Sequence, residues 1–258
     1  MKPSNVLLSS QCALKLCDFG LMRSLAEPEG PSPVLTDYVA TRWYRPPEVL
    51  LGSTHYATSF DMWSAGCVLG EMLIGQPMFH GTSTMNQVEK ILEVSRCCFL
   101  RPAHALAPLL SPAQVSGRPN ATDVIALHSP YAATMLEATP PTRPLAIAEL
   151  CTGAPTEAID LITQCITFNP SRRPDAEQAL RHPFLAEFHD PDDEPGYEGG
   201  PVVLDINDNT RLAPNEYREA LYAEVMRRKA ALRKSEVLKM KTPGSTILQE
   251  AEGDKLGS

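Results

Sequence analysis

Apolar positions change their period several times along the chain, and each change marks an element. Val6-Leu7-Leu8 and Leu14-Lys15-Leu16-Cys17 are short apolar runs separated by polar Ser-Ser-Gln, the pattern of two strands in a small hairpin. From Asp18 to Glu48 no period is sustained, and Glu-Pro-Glu-Gly-Pro-Ser-Pro punctuates the stretch, which predicts a long ordered or switchable loop. Ser59 to Ile74 is apolar nearly all round a helical wheel, at Met62, Trp63, Leu69, Met72 and Leu73 among others, so it predicts a buried helix ended by Gly75. Met85 to Val94 follows as an amphipathic helix, with Val88, Ile91, Leu92 and Val94 apolar and Ser83 or Thr84 as its cap.

Beyond that helix the pattern weakens. Residues 99–156 are rich in Ala, Pro, Ser and Thr, and predict a partly disordered insert with one or two short helices. Two helices are expected at Thr156–Phe168 and Asp175–Glu187, divided by Asn169-Pro170-Ser171-Arg172-Arg173-Pro174. An acidic, Gly- and Pro-rich link at 190–201 precedes a charged helix over Asn215–Lys234, and the polar tail from Lys241 is expected to be disordered.

With 43% apolar residues among 258, the chain has material for a sizeable core. A formal charge of −8 argues against a general nucleic-acid or anionic-membrane binder and favours basic partners. Seven cysteines at irregular spacings, without a C-x-x-C pair, suggest neither a disulfide framework nor a zinc site and point to a reducing compartment, cytoplasmic or nuclear. No stretch approaches the roughly 18 apolar residues of a membrane helix.

The chemistry begins at Asp18-Phe19-Gly20, directly after a predicted strand. Phosphoryl transfer needs a carboxylate to hold Mg²⁺ against nucleotide phosphates, and a glycine permits the turn. Alone, the tripeptide is a weak signal that reads more readily as a solvent turn after a strand. Thirteen positions earlier stands Asn5, inside Lys2-Pro3-Ser4-Asn5, matching the end of a catalytic loop H-R-D-x-x-x-x-N. Downstream come Thr41-Arg42-Trp43-Tyr44-Arg45-Pro46-Pro47-Glu48, which resembles a segment closing in A-P-E, and Asp61-Met62-Trp63-Ser64-Ala65-Gly66, for which a plain helix-start aspartate is the bland alternative.

These motifs, in this order, resemble protein kinases. Thr36-Asp37-Tyr38, followed by Val39-Ala40-Thr41-Arg42-Trp43-Tyr44-Arg45, resembles the dual-phosphorylation lip of mitogen-activated protein kinases, and Asn209-Thr210-Arg211-Leu212 and Asn215-Glu216-Tyr217-Arg218 are most similar to the atypical extracellular-signal-regulated branch. The resemblance implies a mainly α fold: a kinase C-terminal lobe with a small β-hairpin, the N-terminal lobe being absent. It divides the chain into a partial kinase domain over 1–187 with an insert within about 76–156, a docking patch and extension helix over 188–240, and a tail over 241–258.

The implied roles follow residue by residue. Asn5 and Asp18 hold Mg²⁺, Lys2 meets the phosphate of ATP, Gly20 serves the turn, and Thr41 and Arg42 shape the substrate groove. Thr36 and Tyr38 take phosphate from an upstream kinase or by self-phosphorylation, adding roughly −3 to −4 charge for which Arg23, Arg42 and Arg45 are candidate partners. Glu48 pairs with Arg173, Asp61 fixes the catalytic loop, and Asp190 and Asp193 in His189-Asp190-Pro191-Asp192-Asp193-Glu194 receive basic docking motifs of substrates and regulators. The same spacing sets Met1 one residue past the catalytic aspartate, and the Gly-rich loop and strand lysine that clamp ATP are missing, so the polypeptide is expected to be inactive by itself. The alternative is a non-catalytic docking or scaffold module.

Overall fold

In a computed structural model, residues 1–22, 41–53, 55, 57–94, 119–140, 145–192, 194, 200, 202 and 212–241 are described, with side chains to 234 in the last stretch. The chain divides into two compact units, Met1–Asn209 and Thr210–Ser258. The first is mainly helical. Its sheet, among the described residues, is a single antiparallel pair, β1 (Val6–Leu8) and β2 (Leu14–Leu16), registered Val6 to Leu16 and Leu8 to Leu14. A 3-10 turn, Pro3–Asn5, leads into β1, with proline at its first position where the missing N–H costs nothing. Leu8, Leu14 and Phe19 stay on the surface of this hairpin.

α1 (Pro47–Leu50) follows the loop, and α2 (Ser59–Ile74) is the central helix that the all-round apolar pattern predicts, with Trp63 and Cys67 buried. It stops at Gly75, whose left-handed φ of 80° lets its N–H close on the Glu71 carbonyl. α3 (Thr84–Val94) starts from Ser83, whose hydroxyl accepts the Asn86 N–H at 3.1 Å, and it turns Val88, Ile91 and Leu92 into the core.

Among its described residues the insert has three short helices, where one or two were expected: α4 (Ala121–Ile125), α5 (Ala132–Ala138) and α6 (Ile147–Leu150). Leu127, Ala132, Leu136 and Ile147 from this region join the core around Trp63, Phe79 and Ile162. Helices of four to seven residues are too short to display a period. Buried Asp123 anchors the insert by accepting the Asn169 side-chain amide at 3.0 Å, with Arg172 at 3.5 Å.

α7 (Thr156–Cys165) packs on α2. It ends three residues before the expected Phe168, where the Thr167 N–H turns to the Gln164 carbonyl at 3.4 Å while the Thr167 hydroxyl donates to the Thr163 carbonyl at 3.1 Å. α8 (Ala176–Leu180) opens with a capping box, in which Asp175 accepts the Gln178 N–H at 2.7 Å and Gln178 accepts the Asp175 N–H at 3.1 Å. The single helix expected to Glu187 is broken before Pro183, which lacks the N–H a continuing helix needs, and a 3-10 turn Pro183–Leu185 follows.

The second unit is described by α9 (Pro214–Lys241), longer than the expected Asn215–Lys234 because no Gly or Pro interrupts the good helix formers up to Lys241. Glu224 receives Arg227 at 2.7 Å and Arg228 at 2.6 Å, and these hydrogen bonds pull its carboxyl down to about 2. The tail beyond Lys241 lies outside the described residues. Among the described residues, no helix is long and apolar enough to cross a membrane.

Candidate active site

β pairing brings the first two site residues together. The Cys17 N–H donates to the Asn5 carbonyl at 2.9 Å, extending the β1–β2 register, so Asn5 and Asp18 leave neighbouring strands at the same end of the hairpin. Asp18 adopts a left-handed φ of 63°, which an aspartate tolerates better than most residues. Its carboxylate is exposed and carries no hydrogen bond or ion pair among the described residues, and one of its oxygens lies 3.4 Å from where a Cβ on Gly20 would stand. The Asn5 amide oxygen receives a 3.5 Å approach from the Ser4 hydroxyl. Lys2, half-buried, precedes Asn5 in the same turn and its ammonium has no partner among the described residues.

An exposed carboxylate and an amide oxygen at one end of a hairpin are hard oxygen donors of the kind Mg²⁺ takes together with phosphate oxygens. Among the described residues no cluster of three His, Cys, Asp or Glu could hold a metal without such help. The donor set therefore fits a metal delivered with a nucleotide and not a resident all-protein cage.

The second part of the site is the segment from Thr41 to Glu48. Thr41 is exposed, and Arg42–Tyr44 forms a 3-10 turn closed by the Arg45 N–H on the Arg42 carbonyl at 3.1 Å. α2 holds this turn from below: the Ser64 hydroxyl donates to the Tyr44 carbonyl at 2.9 Å, and the Tyr44 hydroxyl donates to Glu71 at 2.6 Å. Burial, followed by the bond to Glu71, pushes the Tyr44 hydroxyl far above its usual range. Nε of Arg42 is buried and has no acceptor among the described residues.

Glu48 and Arg173 meet 125 positions apart in sequence, in a two-pronged pair at 2.6 and 2.8 Å, with Glu48 1% and Arg173 7% exposed. The remaining guanidinium donors reach the carbonyls of Ser59 at 3.1 Å, Thr167 at 2.8 Å and Phe168 at 3.1 Å, so all five N–H groups are used. The guanidinium also lies 4.9 Å over the Trp63 ring. One side chain thus ties the end of the long loop, the start of α2 and the exit from α7.

Asp61 stands in the first turn of α2 with its carboxylate 81% exposed, 3.6 Å from the Met1 ammonium, and it accepts no backbone N–H among the described residues. Asp190 is exposed, and one of its oxygens takes the Asp192 N–H at 3.1 Å. His189 and Glu194 close the same acidic turn at 2.7 Å. Thr36, Tyr38, Arg23 and Asp193 lie outside the described residues.

Sequence reasoning did not single out Tyr44, Glu71, Ser64 or Gln87. Gln87 had a visible signal: it is a polar residue on the apolar face of α3, beside Val88 and Ile91.

The protein kinase domain family matches residues 1–185. The chain belongs to the protein kinases, on their mitogen-activated branch. It is 43% identical over 239 residues to "Extracellular signal-regulated kinase 2" of Dictyostelium discoideum, covering 92% of this chain and 59% of that protein. It is also 39% identical to "Mitogen-activated protein kinase 15" of Xenopus laevis, covering 98% of this chain and 40% of that protein. With "Mitogen-activated protein kinase 15" of Rattus norvegicus the identity is 45%, over 88% of this chain and 38% of that protein. These kinases place the chain on the atypical extracellular-signal-regulated side of the branch. It spans from 38% to 59% of the length of these relatives.

Proposed function

We propose that this chain carries the metal-binding, activation and substrate-binding part of a protein serine/threonine kinase of the mitogen-activated type, dependent on Mg²⁺ and ATP and working in intracellular signalling in the cytosol or nucleus. The chief support is the hairpin pairing that sets Asn5 and the exposed Asp18 carboxylate on neighbouring strand ends. Asn5 and Asp18 would hold the metal and Lys2 would meet the phosphates. Mg²⁺ and ATP supply the phosphoryl group and the charge neutralisation that its transfer requires. Thr41 and Arg42 present the substrate hydroxyl's flanking residues to that centre. The buried Nε of Arg42, which has no acceptor among the described residues, supports a further role as a hydrogen-bond donor to a phosphate placed on Thr36 or Tyr38, whether by an upstream kinase or by self-phosphorylation.

The 258 residues contain no Gly-rich phosphate loop or strand lysine motif, and Leu8, Leu14 and Phe19 leave an apolar surface on the hairpin. On this reading an N-terminal lobe covers that surface, and the polypeptide by itself does not turn over. Mn²⁺ uptake in the presence of ATP, followed by electron paramagnetic resonance, tests the metal assignment. Asp18→Ala is expected to weaken uptake about tenfold, the equivalent of one lost charge-assisted contact. Equal uptake by the variant and the parent chain would remove Asp18 from the metal site. Phosphoryl transfer by the isolated polypeptide, abolished in Asp18→Ala, would uphold the metal role and overturn the expected inactivity.

A second reading, a docking module that engages basic peptides without catalysis, is favoured by the exposed acidic turn at Asp190, which needs no nucleotide. Clustered carboxylates steer basic ligands with a strong salt dependence. Fluorescence anisotropy with a Lys- and Arg-rich peptide should give binding that falls as salt rises and is lost in Asp190→Asn with Asp193→Asn. Binding that survives both substitutions would sink the docking assignment.

A further inference from the structure

Gln87 is 0% exposed, yet it is a polar side chain in the middle of the apolar face of α3. A buried amide is tolerated only if its valences are filled, and those of Gln87 are filled by one small set of backbone groups. Its oxygen accepts the Gly81 N–H at 2.8 Å. Its nitrogen donates to the carbonyls of Trp43 at 3.2 Å and Phe79 at 3.2 Å. The circuit closes through the indole of Trp43, whose N–H donates to the Gly81 carbonyl at 3.2 Å. The His80 ring packs edge-on against the same indole at 4.1 Å.

Three separate stretches meet at this one side chain: the 3-10 turn Arg42–Tyr44, the loop between α2 and α3, and α3 itself. Gly81 fits because it has no side chain, since a Cβ there would stand 2.5 Å from Cα and 2.6 Å from N of Gln87. On the other side of Trp43, Ser64 and Glu71 hold Tyr44 to α2. Gln87 is therefore the side chain that fixes the Trp43 carbonyl, and through it the direction in which Arg42 leaves the turn.

We infer that Gln87 is a positioning residue for the substrate groove: it locks the Trp43 peptide so that Thr41 and Arg42 present a fixed surface to a Ser/Thr-containing substrate peptide. This rests on the reading of Thr41 and Arg42 as groove residues given above. Gln87 touches no substrate in this scheme and acts through Trp43. Its loss leaves three backbone groups without their partner and so lowers stability as well, and peptide affinity is compared under conditions where each variant remains folded by far-ultraviolet circular dichroism.

The test uses the 258-residue chain, its Gln87→Met and Gln87→Glu variants, and Asn86→Ala as control. Methionine keeps the length and removes all three hydrogen bonds. Glutamate keeps the acceptor for Gly81 and, when protonated, can restore one donor. Asn86 holds the same loop through the Thr82 N–H at 3.2 Å, and its side-chain hydrogen bonds go to Thr82 and Glu89. Of the two tryptophans Trp63 is fully buried, so acrylamide quenching reports Trp43. Gln87→Met should raise that quenching and weaken binding of a labelled Ser-Pro peptide by about tenfold, the affinity equivalent of one unmade hydrogen bond. Gln87→Glu should recover part of the affinity as pH falls, and Asn86→Ala should bind like the parent chain. Raised quenching in Gln87→Met with unchanged peptide affinity would overturn the inference while leaving the groove intact, and so would equal losses in Gln87→Met and Asn86→Ala. Absence of peptide binding by the parent chain would overturn the groove reading and the inference built on it.

Discussion

Glu48→Ala should destabilise the first unit by about 3–5 kcal/mol, because it leaves a guanidinium buried without a counter-charge. Arg173→Ala should cost at least as much. It strands the Glu48 carboxylate, orphans the carbonyls of Thr167 and Phe168, and removes the second donor of the Ser59 carbonyl. For the same reason a double replacement by Leu and Met should not be neutral, although buried pairs elsewhere can be exchanged for hydrocarbon. Removing both charges still takes away the guanidinium donors of the Thr167 and Phe168 carbonyls. Glu48→Gln keeps the shape and one acceptor, so its loss should lie between those of the parent chain and Glu48→Ala. Urea midpoints followed by far-ultraviolet circular dichroism decide the matter. A loss below about 1 kcal/mol for either alanine variant is what an exposed pair would give, and it would mean that the bridge does not hold the loop end to α7.

This pair also shows where the sequence was legible and where it was not. Nothing in the local pattern joins positions 48 and 173; the expectation came from the resemblance, and the geometry shows the two-pronged pair. Elements with clean punctuation were readable by themselves: α2 runs to the residue before Gly75, and Ser83 caps α3. The insert resisted reading because its described helices are anchored by tertiary contacts, such as Asp123 to Asn169 and the Leu145 N–H to the Glu93 carbonyl, and not by their own periodicity. The metal-side candidates were readable as a motif, and the hairpin register adds what the motif lacked, the bond from Cys17 to Asn5 that sets Asn5 and Asp18 side by side. Gln87 received no role of its own in the sequence, because the purpose of a buried amide shows only once its three partners are seen.

The second large effect is expected at Gly66, in the middle of α2. A Cβ there would stand 2.6 Å from Cβ of Cys165 and 2.9 Å from Cγ2 of Ile166, both buried at the end of α7. A Cβ is fixed to the backbone and cannot rotate away, so Gly66→Ala must push α2 and α7 apart. Overpacking of this kind costs about 1–3 kcal/mol, which exceeds the gain of about 1 kcal/mol in helix propensity from replacing glycine. The displaced end of α7 leads into Thr167 and Phe168, whose carbonyls feed Arg173, so the strain should also loosen the Glu48 bridge. Gly70→Ala, one turn on, is the contrast. Its Cβ would meet the terminal methyl of Met78, a flexible end that can swing aside, and the change should be close to neutral. Burial, which pushes the Cys165 thiol up to about 11, provides an independent readout. In Gly66→Ala the loosened contact should make Cys165 react faster with iodoacetamide at neutral pH than in Gly70→Ala. Equal stability and equal labelling of the two variants would mean that α2 and α7 are not in contact at Gly66.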